Sequence, residues 1–118
     1  MAVLVTGGAG YIGSHTAVAL HEAGREVVLI DNLDNSSLAA IDAIHALTTS
    51  DMAFHEGDLR DRSLLDQIFE THDIDEVVHF AAHKAVGESV TIPLEYYGNN
   101  LGCTIGLAGA MVEHGVRK

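Results

Sequence analysis

Tryptophan is missing from this sequence, cysteine and proline occur once each, and lysine plus arginine number only 6 of 118 residues against 17 aspartates and glutamates. The single thiol, Cys103, excludes an intrachain disulfide framework and suits a reducing compartment. A formal net charge of -11 sets a repulsive long-range field against a phosphate backbone or an anionic bilayer, so neither nucleic acid nor membrane is expected as a partner. The acids are scattered, as on a solvated surface, rather than massed in a tail. No apolar run approaches the length of a membrane span, and no basic segment precedes the apolar start at Met1 to Val5 as in a secretion signal. A soluble, cytoplasmic chain is the expectation. With 47% hydrophobic residues it can build one core, as one domain or one piece of a larger domain.

What is present alternates. Ala2 to Thr6 is a short apolar run closed by Gly7-Gly8, as in a strand buried on both faces of a parallel sheet. From Tyr11 the spacing turns helical, with Ile12, Ala19, Leu20 and Ala23 on one face and Gly24 as a left-handed stop. Glu26 to Ile30 reads as a second strand, followed by turn chemistry from Asp31 to Ser37, whose serine can cap a helix marked by Ile41, Ile44 and Leu47. Met52 to His55 predicts a third strand closed by Gly57-Asp58. Asp61 then caps a helix that buries Leu64, Leu65, Ile68 and Phe69, and Val77 to Phe80 predicts a fourth strand. Pro93 suits the first turn of a long helix reaching about Glu113, with Gly115 at its end, and Gly98, Gly102, Gly106 and Gly109 along it form a smooth stripe for close packing. The fold class that follows is α/β: a Rossmann-type doubly wound parallel sheet, its N-terminal half, with about four strands alternating with helices. A fifth strand should come next, so residues 1–118 read as one portion of such a fold.

Gly7, Gly10 and Gly13 stand at GxxGxxG spacing between predicted strand and helix. There the first permits a tight turn, the second lets backbone amides approach a pyrophosphate, and the third lets helix and strand pack closely. Asp31 ends the second strand 18 residues beyond Gly13, where a carboxylate can accept from ribose hydroxyls and would repel a 2'-phosphate. No arginine or lysine lies between Arg25 and Arg60, which favours NAD over NADP. A plain turn aspartate is the alternative for Asp31. Asp58 sits at the same sheet edge, as an adenine contact or as a turn or capping aspartate. Lys84, the only lysine before the C-terminal residue, lies just beyond the fourth strand, to meet phosphate or ribose oxygens or simply water. Eight histidines are present, but no HExxH or cysteine cluster accompanies them, so no metal site is expected, and Cys103 lacks a partner for nucleophilic chemistry.

The segments Val5 to His15, Asp31-Asn32-Leu33 and Gly57-Asp58-Leu59-Arg60 resemble the extended short-chain dehydrogenase/reductases. Phe80 to Ser89, Pro93 to Tyr97 and Asn99-Asn100 are similar to the UDP-glucose 4-epimerase group within that family. The resemblance covers the whole chain, although Gly102-Cys103-Thr104 departs from a pattern with glycine near position 103. It implies that Tyr11 and Ile12 face a pyrophosphate, that Asp31, Asn32, Leu33, Asp34, Asn35 and Ser36 wrap the adenosine ribose, and that Asp58 and Leu59 hold adenine. Phe80, Ala81, Ala82, His83, Lys84 and Asn99 would serve the cofactor's other half.

The activity implied is interconversion of UDP-glucose and UDP-galactose through a transient 4-keto sugar, by reversible hydride transfer. Another nucleotide-sugar dehydratase or reductase, or a non-catalytic NAD-binding module, is the alternative. The family's base lies in Tyr-x-x-x-Lys, and here Tyr11, Tyr96 and Tyr97 are followed four residues on by His15, Asn100 and Leu101. No catalytic residue is therefore assigned, and the 118-residue chain alone is expected to be inactive. The expected partners are NAD, a UDP-sugar for the complete enzyme, and a second copy, since the helix begun by Pro93 contributes to dimerisation in the family. An unpaired fourth strand lined by Val77, Val78 and Phe80 would also invite association.

Overall fold

The structure, a computed structural model, describes residues 1–118. Strand β1 (Ala2–Thr6) is buried along its whole length, and β2 (Glu26–Asp31) along Val27 to Ile30. With β3 (Ala53–Glu56) and β4 (Ile74–His79) they form one parallel sheet of order β3-β2-β1-β4. Because successive strand side chains point to opposite faces, Leu4, Val28 and Ile30 enter one core while Val3, Val5, Val27 and Leu29 enter another. Helices α3 (Arg62–Thr71) and α5 (Pro93–Glu113) cover the first with Leu65, Ile68, Phe69, Leu107 and Ala110. Helices α1 (Tyr11–Glu22) and α2 (Leu38–Thr48) cover the second with Ala17, Ile41 and Ile44. This is the doubly wound Rossmann arrangement that the alternating pattern predicts.

The boundaries follow local chemistry. Asp61 caps α3 by accepting from the Leu64 amide at 3.2 Å, and Pro93 occupies the first turn of α5. Gly24 and Gly115, at φ +81° and +74°, end α1 and α5 in the left-handed conformation that glycine adopts without a side-chain clash. Ser37 takes the N-cap position of α2 but its side chain makes no capping bond there. Leu47 stays 76% exposed, so the buried anchors of α2 are Ile41 and Ile44, with Ala40 packed beside them.

Two sequence expectations need correction. Of the residues expected on the inner face of α1, Leu20 packs against the core, half-buried, but Ile12, Ala19 and Ala23 are exposed; Gly13 and Ala17 are buried and Val18 packs beside them. At Gly13 the helix comes so close to the β1 turn that no side chain fits, and small side chains carry little of the hydropathy on which a periodicity argument depends. Strand β4 begins at Ile74 rather than Val77, because the acidic pair Asp75-Glu76 masks its first half. Both acids are half-buried and matched by Arg25, at 3.2 and 3.0 Å. A short helix α4 (Val86–Thr91) also precedes α5, without a sequence signal to announce it.

Strand β4 ends the sheet, and Val77, Val78 and Phe80 are half-buried there. Beyond Gly115 the chain buries Val116 and returns beside β4, where the Lys118 carbonyl accepts from the Val77 amide at 2.9 Å. The edge is thus partly occupied by the chain's own last residues.

A Cβ added at Gly13 would stand 2.1 Å from the Gly7 carbonyl oxygen, a contact that only backbone movement relieves. Gly13→Ala should therefore lower the unfolding free energy by about 1–3 kcal/mol, the usual cost of overpacking. Urea titration would show this as a lower midpoint at unchanged slope; a midpoint equal to wild type would contradict the close approach of α1 to the β1 turn.

Candidate functional site

Thr6, Asp31, Glu56 and His79 end the four strands at one edge of the sheet. After β1 the chain passes to the α1 side and after β4 to the α5 side, so their exits diverge. Such a divergence opens the crevice in which parallel sheets hold ligands. A cleft of about 490 Å³ lies there, within the range of small-molecule sites.

Gly7 and Gly10 form its floor, with Tyr11 and Ile12 beside them. Gly7 sits at φ +68° and its carbonyl accepts from the Gly10 amide at 3.0 Å, closing a tight turn into α1. Gly13 does not line the cleft; it lies under the turn, where it admits the Gly7 carbonyl. No protein acceptor reaches the amides of Tyr11, Ile12 and Gly13. These are the orphan donors of a helix N-terminus, with the helix dipole behind them and no acidic side chain in the first turn.

At the end of β2, one oxygen of Asp31 accepts from the Ala9 amide at 3.0 Å, and the other from the Leu33 amide at 2.8 Å and the Ser36 hydroxyl at 3.0 Å. The carboxylate thereby ties the glycine turn to the β2 turn while still facing the cleft. Asp31 is thus a turn aspartate that also lines the cleft. Asn32, Asp34, Asn35 and Ser36 line the cleft as well, and the Asn32 side chain accepts from the Asp34 amide at 3.0 Å. Leu33 does not. At φ +59° its side chain turns away to pack on the core between the sheet and α1 and α2.

At the end of β3, Gly57, Asp58 and Leu59 form the next wall. Arg60 grips Asp58 through its backbone amide at 2.8 Å, Nε at 3.0 Å and Nη2 at 2.7 Å. The guanidinium holds the carboxyl below the usual range against the opposing effect of burial. Leu59 is 3% exposed, so what it offers the cleft is mostly main chain. Helix α5 presses against this segment: a Cβ at Gly106 would meet the Leu59 carbonyl oxygen at 2.8 Å, and Gly102 and Gly109 face the side chains of Arg60 and Arg62. Gly98 has no such neighbour.

At the end of β4, Phe80, Ala81, Ala82, His83 and Lys84 form the opposite wall. Asn100 fastens it, donating to the His83 carbonyl at 3.0 Å and accepting from the His83 amide at 2.7 Å. Asn99, 7% exposed, lines the cleft and donates to Asn100 at 3.1 Å. Lys84 is exposed and engaged in no ion pair.

Sequence reasoning missed Ile30, Gly57, Ala85, Glu88, Tyr96 and Cys103 among the lining residues. Tyr96 and Cys103 were findable, since they lie three and four residues from Asn99 on the same helix face. Tyr96 is held there by donating to Glu88 at 3.0 Å and accepting from the Ala85 amide at 3.2 Å; burial pushes its phenol up. Burial likewise pushes up the Cys103 thiol, which weakens it as a nucleophile. No helix is long and apolar enough to cross a membrane.

The sequence model of a family described as GDP-mannose 4,6 dehydratase matches residues 4–118. UDP-glucose 4-epimerase of Bacillus subtilis is 54% identical over 118 residues, all of this chain and 35% of its own length. The Dictyostelium discoideum UDP-glucose 4-epimerase is 51% identical, covering 98% of this chain and 34% of itself. Among solved structures, the Bifidobacterium longum UDP-glucose 4-epimerase in complex with NAD+ and UDP superposes with a TM-score of 0.97 at 44% identity, over 99% of this chain and 35% of that one. The Stenotrophomonas maltophila enzyme with bound NAD and formylated UDP-arabinopyranose gives 0.96 at 47% identity, with the same coverage of each chain. The chain thus spans about a third of the length of the relatives it matches. It belongs to the GDP-mannose 4,6 dehydratase family of extended short-chain dehydrogenase/reductases, as a homologue of the N-terminal portion of UDP-glucose 4-epimerases.

Proposed function

We propose that this chain is the NAD-holding part of a UDP-glucose 4-epimerase. The observation that carries the reading is the junction of the free Tyr11 to Gly13 amides with Asp31 at the neighbouring strand end. The amides and the α1 dipole suit a pyrophosphate. Asp31 retains lone pairs for ribose hydroxyls, and no arginine or lysine side chain lines the β2 end to receive a 2'-phosphate. Asp34 to Ser36 would complete the ribose wall, while Asp58 and Leu59 would border adenine. Phe80 to Lys84 and Asn99 would hold the nicotinamide half, with Lys84 as the one cation of the cleft. When bound, NAD would supply a reversible acceptor for the hydride at C4 of a UDP-sugar; the chain's part is to bind, orient and exclude water.

The matching family carries the name of a dehydratase, and a nucleotide-sugar dehydratase would use the same cofactor site. The Lys84 to Ser89 segment and the named relatives favour the epimerase. Helix α5 supports self-association: Leu94, Tyr97, Leu101 and Ile105 form a row along its outer side, each between 55% and 83% exposed. A second copy of the chain is the partner proposed for that row.

Isothermal titration should show NAD binding at least about tenfold tighter than NADP, a difference of about 1.4 kcal/mol; equal affinity would sink the assignment of Asp31. Asp31→Ala should weaken NAD and also lower the unfolding free energy by about 1–3 kcal/mol, because the Ala9 and Leu33 amides and the Ser36 hydroxyl lose a charged acceptor. In a coupled assay the 118-residue chain should not convert UDP-galactose; measurable turnover would show that the base need not come from Tyr-x-x-x-Lys. Light scattering after size-exclusion chromatography should report a dimer, and Leu101→Glu should return it to monomer.

A further inference from the structure

The wall from Phe80 to Lys84 is seated by a hydrogen-bond relay shared by β1, β4 and α5. Thr6 Oγ1 accepts from the amide of Ala81 at 3.2 Å and from that of Phe80 at 3.1 Å, the latter shared with the Thr6 carbonyl at 3.2 Å, and lies 2.7 Å from His79 Nδ1, the one acceptor within reach of its own proton. A hydroxyl has two acceptor positions and one proton. Both acceptor positions are taken by amides, so Thr6 donates its proton to Nδ1, which must be unprotonated. The proton of the neutral ring then sits on Nε2 and is donated to Thr104 Oγ1 at 3.1 Å, and Thr104 donates in turn to the Asn100 carbonyl at 2.9 Å. Asn100 closes on both polar groups of the His83 main chain. Thus one relay, running in one direction, holds the wall at Phe80-Ala81 and again at His83. Its tolerance is small, since a Cβ on Gly7 would come within 2.9 Å of the Ala81 nitrogen.

We propose that His79, as its neutral Nε2–H tautomer, is a positioning residue for the cofactor cleft: it aims the Thr6 hydroxyl so that the Phe80 to Lys84 wall seats against the glycine turn, and protonation of the ring unseats that wall. The consequence for NAD rests on the reading of the cleft given above; the seating of the wall does not. A proton on Nδ1 would leave Thr6 Oγ1 facing three N–H donors, with no acceptor for its own proton. The charged group bearing on the ring is Lys84; β1 presents Thr6, and α5 presents Thr104 and Asn100, none of which titrates. His79 is exposed at the end of β4, but its Nδ1 side lies against the fully buried Thr6; desolvation first, and Lys84 second, push its pKa down. A histidine whose folded pKa lies below its unfolded value contributes fully above the unfolded value, about 6.5, and its contribution is lost as pH falls below that. The wall is therefore seated at neutral pH and loosens on the acid side.

The test uses amide hydrogen exchange of the NAD-free chain and NAD titration, across roughly pH 8 to 5.5, on wild type, His79→Ala, His79→Gln and His79→Asn. Asparagine places an acceptor near the Nδ1 position, whereas glutamine restores only a donor near Nε2. The expected result is that protection at Ala81 falls about tenfold in the alanine and glutamine variants, matching the loss of a hydrogen bond, while Phe80, which also donates to the Thr6 carbonyl, falls less. NAD affinity should fall with Ala81 protection, and asparagine should recover most of both and abolish the pH dependence. Wild type needs no variant: its Ala81 protection should fall with acidity faster than that of Leu4 and Leu29. Unchanged protection in His79→Ala, equal recovery by glutamine and asparagine, or pH dependence persisting in His79→Asn would each overturn the proposal. A chain that shows the exchange pattern but binds no NAD would support His79 as the seat of the wall and refute the cofactor reading instead.

Discussion

The crowding around the Gly7 carbonyl is the constraint on which the rest of the structure depends. The Gly10 amide donates to that oxygen at 3.0 Å, and a Cβ on Gly13 would lie 2.1 Å from it. On the other side of Gly7 the Phe80-Ala81 backbone passes so close that a Cβ would meet it at 2.9 Å. A positive φ is only one of the reasons for glycine there; the other is that the first turn of α1, the β1 turn and the exit of β4 share one small volume. Loosening any one of the three widens the same cleft. This is why the α1 amides and the Phe80 to Lys84 wall stand opposite each other at a fixed separation.

The proposed anionic dinucleotide would meet a chain with a formal net charge of -11, and the way the acids are held bears on that mismatch. Asp58 is paired with Arg60, and Asp75 and Glu76 share Arg25, with Lys118 also on Glu76. Asp31 spends its charge on two amides and a hydroxyl. Asp34 and Glu88 also line the cleft, but the group at the glycine turn itself is the positive end of the α1 dipole, with Lys84 on the facing wall. Local donors at hydrogen-bond range outweigh a diffuse net charge that salt screens over about 10 Å.

The legible parts of the sequence were those in which a residue type has a single physical use. Glycines between a strand and a helix, aspartates at strand ends, and apolar runs bounded by turn residues located the sheet, the glycine turn, Asp31 and Asp58, whereas the wall from Phe80 to His83 was reached through the family resemblance. The illegible parts were those in which partners lie far along the chain. The inner face of α1 carries Gly13 and Ala17 at its centre, with Val18 and Leu20 beside them, because of how closely the helix approaches the β1 turn, and approach distance leaves no mark on hydropathy. The polar start of β4 makes sense only once Arg25 is placed beside it. Leu33 sits inside a run of cleft residues yet faces the core, a consequence of one left-handed φ that a leucine does not advertise.

Helix α5 shows how local weakness and tertiary gain can be the same feature. Glycine in a helix interior costs up to about 1 kcal/mol relative to alanine, and α5 carries Gly98, Gly102, Gly106 and Gly109. Three of these return something: Gly106 admits the Leu59 carbonyl, and Gly102 and Gly109 admit the arginine stem and head that flank it. That approach brings Tyr96, Asn99 and Cys103 to the cleft and puts Asn100 and Thr104 within reach of His83 and His79. A stiffer helix of alanines would be held off by the Leu59 carbonyl, and the wall would lose its support from α5. Gly98, which meets no neighbour, returns nothing comparable, so the first turns of α5 depend more heavily on Pro93 and on the Tyr96 contacts to Glu88 and Ala85. The helix is therefore held both by Leu107 and Ala110 in the core and by the contacts that also shape the site.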